Sequence, residues 1–153
     1  MANAQALCTS FKVELLQAYH AIGTPPAHTV STKDVIKCAL ILASKSLGAA
    51  TTAYSSGDEI TSSTGYSAGG ATVTNATEPG AAAGTTAFWT PSASVAWTGF
   101  TQAVAFDAAL LYNSSQGNRA IGVYTFGSQT ITAGTFTLTM PTNDASTGLI
   151  RIA

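Results

Sequence analysis

Hydrophobic positions along this chain change spacing twice, and each change marks a change of predicted structure. Phe11, Leu15, Ala18, Tyr19 and Ile22 recur at helical intervals and predict one helix over 10–22. Thr9 or Ser10 is placed to cap it, Glu14 lies toward its positive end, and Gly23 with Pro25-Pro26 stops it. The residues before it, 1–9, read as a small polar arm. From Asp34 to Leu42 the spacing becomes two, with Ile36, Cys38, Leu40 and Leu42 on one face of a strand. A helix through Lys45 is the competing reading, because Ala and Leu are helix formers.

Ala50 to Thr86 is rich in Thr, Ser, Gly and Ala, with Tyr54, Ile60, Tyr66 and Val73 as its few large apolar residues. Those spaced anchors predict ordered loops and short strands, with Thr77 to Thr86 as a long exposed loop. Strand material then dominates: Phe88-Trp89-Thr90, Val95-Ala96-Trp97, Phe106 to Tyr112, Ile121 to Phe126, Thr130 to Thr132, Thr135 to Met140 and Leu149 to Ile152. Asn113 to Asn118, Gly127 and Ala133-Gly134 are the predicted turns between them. In the segment Thr135 to Met140, Phe136, Leu138 and Met140 face one way and the threonines the other. The expected fold is mainly β: an antiparallel sandwich, jelly-roll or immunoglobulin-like, with one short N-terminal α-helix. It forms a single domain over 10–153, preceded by the arm.

Composition sharpens this picture. Only 8% of the residues are charged and the formal net charge is −1, whereas soluble domains average about 25% charge. Polarity comes instead from 24 Thr and 15 Ser. Such a surface desolvates cheaply on packing, so copies of the chain or a protein partner are expected beside it. The lack of a basic footprint argues against nucleic acid. Val35 to Ala50 is too short and too broken by Lys37 and Lys45 to span a bilayer, and Met1 to Leu7 lacks the features of a signal peptide. A soluble protein without membrane attachment is expected, with Cys8 and Cys38 reduced and partly buried.

Candidate chemistry is sparse. His20 and His28 have no acidic or thiol residue at ligand spacing, so neither a metal nor any other cofactor is expected. Cys8 with His20 is a conceivable nucleophile–base pair, but no orienting residue stands out. Asp58 and Glu59 are adjacent acids that read as a solvated turn. Gly65-Tyr66-Ser67-Ala68-Gly69-Gly70 lacks phosphate-loop spacing and reads as turn chemistry. The candidate interface is aromatic: Tyr54, Tyr66, Phe88, Trp89 and Trp97. Core or subunit contact is the expected role of these rings. Trp89, beside Pro91, is expected to be the most exposed and the one available to stack on a sugar.

Several segments taken in order carry a resemblance. They are Phe11-Lys12-Val13-Glu14-Leu15-Leu16, Asp34 to Leu40, Thr51-Thr52-Ala53-Tyr54, Glu59-Ile60, Gly65 to Gly70, Phe88-Trp89 and Ala109-Leu110-Leu111-Tyr112-Asn113. This pattern resembles a family of small virion proteins of tailed bacteriophages, and its most specific part runs from Tyr54 to Gly70 with Tyr112-Asn113. The resemblance implies a β-sandwich structural protein without catalytic residues, made in the bacterial cytoplasm and carried in the virion. It implies a capsid decoration, or cement, protein that binds the major capsid protein as a homo-oligomer on the outer head surface. A tail component or a receptor- or glycan-binding module is the alternative.

Overall fold

Residues 2–16, 19–20, 22, 33–75, 79–81 and 86–153 are described in the computed structural model. Their elements are β1 (Ala6–Leu7), α1 (Thr9–Leu16), β2 (Ile36–Leu42), β3 (Ala71–Thr72), β4 (Gly80–Ala81), β5 (Ala87–Trp89), β6 (Val95–Asn113), β7 (Arg119–Leu138) and β8 (Ile150–Ile152). The protein is mainly β, as its alternating pattern predicts. One antiparallel sheet has the order β1-β7-β6-β2-β3 and a smaller one the order β4-β5-β8. A single hydrophobic cluster takes residues from both, including Leu40, Leu110 and Val123 from the first and Trp89 and Ile150 from the second. Among the described residues no helix is long and apolar enough to cross a membrane.

The largest feature is the hairpin of β6 and β7. Its turn falls where Asn and Gly predict it, with Gly117 and Asn118 both at positive φ and Asn113 opposite Arg119. Near the turn, β6 is flanked by β7 and β2, and Ala108 to Asn113 are buried on both faces. Farther out the burial alternates. Trp97 and Phe100 are both buried although three residues apart. A bulge explains this: Trp97 lies opposite Phe136 and Phe100 opposite Gly134, with Gly99 at φ 62° as part of the longer side.

Gly127 and Ala133-Gly134 do not reverse the chain. Both lie inside β7, which runs unbroken from Arg119 to Leu138. The ladder absorbs the irregularity as register shifts, and Ala133, at φ 46°, takes the left-handed backbone beside Gly134.

Other expectations are corrected in detail. The predicted strand at Ile36 to Leu42 is present, but Ala39 and Ile41 are as buried as Cys38 and Leu40. β2 lies between β6 and β3, and sheet centres covered on both faces lose the one-sided pattern. The helix spans Thr9–Leu16 instead of 10–22. Ala18, Ala21, Gly23 and Pro25-Pro26 lie outside the described residues. Phe11 is buried, whereas Tyr19, beyond the last helical turn, is exposed.

The segment predicted as a small polar arm is docked on its own domain. Asn3 Nδ2 donates to Asp107 Oδ1 at 2.5 Å, Leu47 N donates to Asn3 Oδ1 at 2.8 Å, and β1 pairs with Gly122 and Val123 of β7. Leu7 packs against the core and Cys8 is inside it, which gives this stretch reason to fold inward.

Tyr54, Ile60, Tyr66 and Val73 do anchor the Thr/Ser/Gly-rich segment, three of them buried. The predicted loop Thr77 to Thr86 is described only at 79–81 and 86, where Gly80–Ala81 forms β4.

Candidate functional site

Four features concentrate polar chemistry, aromatic surface or open space: two buried carboxylate networks, an apolar cavity, and the outer half of the β6–β7 ribbon.

The first network gathers at the turn end of the hairpin. α1 carries Glu14 inward, where its two oxygens are divided. Arg119 Nη1 donates to Oε1 at 2.6 Å and His20 Nε2 lies 2.8 Å from Oε2. Asn113 Nδ2 donates to Asp34 Oδ2 at 2.7 Å and reaches His20 Nδ1 at 3.1 Å. Ser115 N donates to Asn113 Oδ1, which fixes the amide orientation. His20 Nδ1 is therefore the acceptor and Nε2 carries the hydrogen toward Glu14. Gln116 Nε2 donates to the other Asp34 oxygen at 3.2 Å, and the Arg119 guanidinium stacks over the Tyr19 ring at 4.3 Å. Residues far apart in sequence are thus joined through buried, charge-assisted bonds. They fasten α1 and the segment before β2 to the hairpin.

Cys8 and His20 do not form a nucleophile–base pair. Both ring nitrogens of His20 are engaged by Glu14 and Asn113. Burial, with the Glu14 charge adding to it, pushes the Cys8 thiol up to about 11, away from the thiolate that a nucleophile needs. Cys38 is pushed up to about 12 by burial. Both cysteines are free and buried. His28 lies outside the described residues, among which no group of three or more His, Cys, Asp or Glu is placed to hold a metal.

The second network overturns the reading of Asp58 and Glu59 as a solvated turn. Asp58 does face outward and pairs with Lys45 at 3.5 Å. Glu59 is only 3% exposed. Its carboxylate accepts from Tyr54 Oη at 2.6 Å, Tyr66 Oη at 2.5 Å and Gly69 N at 2.9 Å. Tyr66 Oη in turn accepts from Leu40 N, and Tyr112 Oη donates to Gly69 O at 2.7 Å. Tyr54 and Tyr112 stack with ring centres 4.5 Å apart. Burial, then the Glu59 carboxylate, raises the Tyr54 and Tyr66 hydroxyls well above the ordinary phenol range. Burial and the Glu59 charge push Tyr112 up to about 12. Tyr54, Glu59, Tyr66 and Gly69 come from one stretch of the chain, and Tyr112 is its distant partner. Their joint role is to clamp a loop onto β2 and β6.

The aromatic candidates are mostly interior. Tyr66 and Trp97 are buried and pack on each other at 5.8 Å; Tyr54 is half-buried in the Glu59 network. Trp89, expected to be the exposed one, is 3% exposed. Trp89 lies on the core-facing side of β5, within the hydrophobic cluster, and presents no ring for a sugar. Phe88 is half-buried and, with Phe11, Leu15, Trp89 and Ile150, lines an apolar cavity of about 110 Å³ between α1 and the smaller sheet.

The ribbon formed by the outer halves of β6 and β7 has a different character. Ala120 to Asn143 contains no charged residue, nor does Pro79 to Phe106. Thr130, Thr132, Thr135 and Thr137 are exposed, while Phe126, Ile131, Phe136 and Leu138 are half-buried against the core. Phe106, Phe126 and Phe136 pack edge-on beneath it. The sequence pattern from Thr135 to Met140 shows this alternation directly. Comparison with known protein families, curated proteins and solved structures finds no match for the chain.

Proposed function

We propose that the chain is a structural virion protein of a tailed bacteriophage: a capsid decoration protein that binds the major capsid protein on the outer head surface and stabilises the shell. The observation that carries this reading is the uncharged, threonine-covered outer ribbon of β6 and β7, with large apolar side chains only partly buried along it. Burying such a surface against another protein removes apolar area from water and strips few charges of their hydration. The Glu14 network fixes the turn end of the hairpin and the Glu59 network clamps a loop onto β2 and β6, so the scaffold that carries the ribbon is ordered before any contact, which lowers the ordering cost of association. Many modest contacts repeated over an icosahedral surface then add through avidity. The resemblance to small virion proteins points the same way. The glycan-binding alternative rested on an accessible Trp89, and that ring is in the core.

Co-sedimentation of the purified chain with expanded capsids that lack it tests the reading. Saturable binding is expected, changing little between about 0.05 and 0.5 M salt because exposed charges contribute little to it. Absence of binding, or binding abolished by salt across that range, would count against the proposal.

A further inference from the structure

We propose that two copies of the chain pair edge to edge through the outer part of β7, antiparallel across a two-fold axis near Thr135–Thr137, to make one continuous sheet. This deepens the functional reading by naming the surface through which copies meet.

Three observations support it. First, among the described residues the edge is open. β7 has β6 on one side; on the other, β1 covers only Gly122 and Val123, and among the described residues no strand pairs beyond them. A row of backbone donors and acceptors on an edge strand is a template for another strand. A two-stranded ribbon is marginal alone and gains from a third strand. Second, the edge is regular where it matters. The extra residues that β7 inserts into its ladder come before Gly134, and Phe136, Thr137 and Leu138 face Trp97, Ala96 and Val95 in unbroken register. Third, the edge matches itself. A two-fold axis sets each residue opposite its own copy or a near neighbour, so any charge there would meet a like charge. Ala120 to Asn143 offers none.

A two-fold also keeps each face of the sheet on its own side. Phe136 and Leu138 of both copies would then form one apolar face, and Thr135 and Thr137 would make cross-strand threonine pairs on the other. A foreign strand is the less favoured occupant. Selecting it over a second copy needs charges or clashes that discriminate, and this edge has no charge to use.

Sedimentation velocity on the full chain, over a range of concentrations, reads the oligomeric state. The wild type is expected to run as a dimer. The double variant T135K/T137K should weaken the dimer at least about tenfold with little change in melting temperature, because both side chains are exposed in the single chain. Thr61→Lys, on an exposed loop residue, should leave the dimer intact. The double variant T135C/T137C should cross-link between copies under mild oxidation, because the axis sets position 135 of one copy opposite position 137 of the other, and Thr61→Cys should not; Cys8 and Cys38 are buried. A monomeric wild type overturns the pairing, as does a dimer that tolerates both lysines and fails to cross-link in T135C/T137C. Monomers that bind capsids through the same threonines would overturn the pairing and leave the functional reading standing. Dimers that ignore capsids would do the reverse.

Discussion

Glu59 shows how a single carboxylate is kept inside a protein with few charges. It accepts from two tyrosine hydroxyls and one backbone N–H, so its charge is met by donors on several sides. Tyr66 is the hinge of the arrangement, because its hydroxyl donates to Glu59 and accepts from Leu40 N. Tyr66→Phe is therefore expected to cost about 1–3 kcal/mol, leaving a β2 N–H without its acceptor. Glu59→Ala should cost more, since two hydroxyls and the Gly69 N–H lose their acceptor together. Urea unfolding of the two variants measures both. A loss below about 0.5 kcal/mol for Tyr66→Phe would show that the network contributes little to stability. The Asp58-Glu59 pair could not be sorted from its spacing alone. Which of two adjacent acids turns inward depends on tyrosines up to 53 positions away, and Tyr112 reaches the site only after β6 has paired with β2.

At the scale of elements, the glycine- and threonine-rich stretches divide into clamps and bulges. Gly70 sits at φ 66°, and a Cβ there would lie 2.0 Å from the Cys38 carbonyl oxygen. Gly70→Ala should prevent the loop from closing on β2 and sharply lower the yield of folded protein, checked by circular dichroism and melting; a variant with wild-type melting would refute the tight approach. Ala133 presents the opposite case, a side chain held at φ 46° within a bulge. Ala133→Gly should stabilise by up to about 1 kcal/mol in thermal unfolding, and destabilisation would mean that the left-handed backbone is not strained there.

The same elements show what a linear reading captures. Alternation at Thr135 to Met140 and the Asn113 to Asn118 turn of the hairpin are local properties, and both were legible. Gly127 and Ala133-Gly134 look the same in sequence whether the chain reverses or bulges. The opposing strand decides, because β6 continues past both positions. Burial of Trp89 was likewise invisible, because it follows from the face of β5 that packs into the shared core. The docking of residues 2–8 depends on partners at 42, 47, 107 and 121–123, which no local pattern announces.

For the whole molecule, the buried titratable groups set an alkaline limit. Cys8, Cys38, Tyr54, Tyr66, Tyr112 and Tyr124 all ionise higher in the fold than in a free chain, with burial as the largest cause of each shift. Above about pH 9 the unfolded chain loses these protons first, so the folded state holds more protons and stability falls as pH rises. The contribution is complete below pH 9, and the Cys8, Tyr112 and Cys38 shares are lost by about pH 11–12. Melting temperature followed from pH 8 to 12 should decline steadily from about pH 9. A flat profile to pH 11 would indicate that the thiols and phenols are not sealed from solvent.

Under the proposed function, the low-charge, threonine-covered ribbon is the property that joins fold to function, and its consequence is mechanical. Calorimetry of expanded capsids with and without saturating protein measures that consequence directly. The capsid transition should move to higher temperature when the protein is bound. Capsids that bind the protein and still melt at their unliganded temperature would contradict a stabilising role.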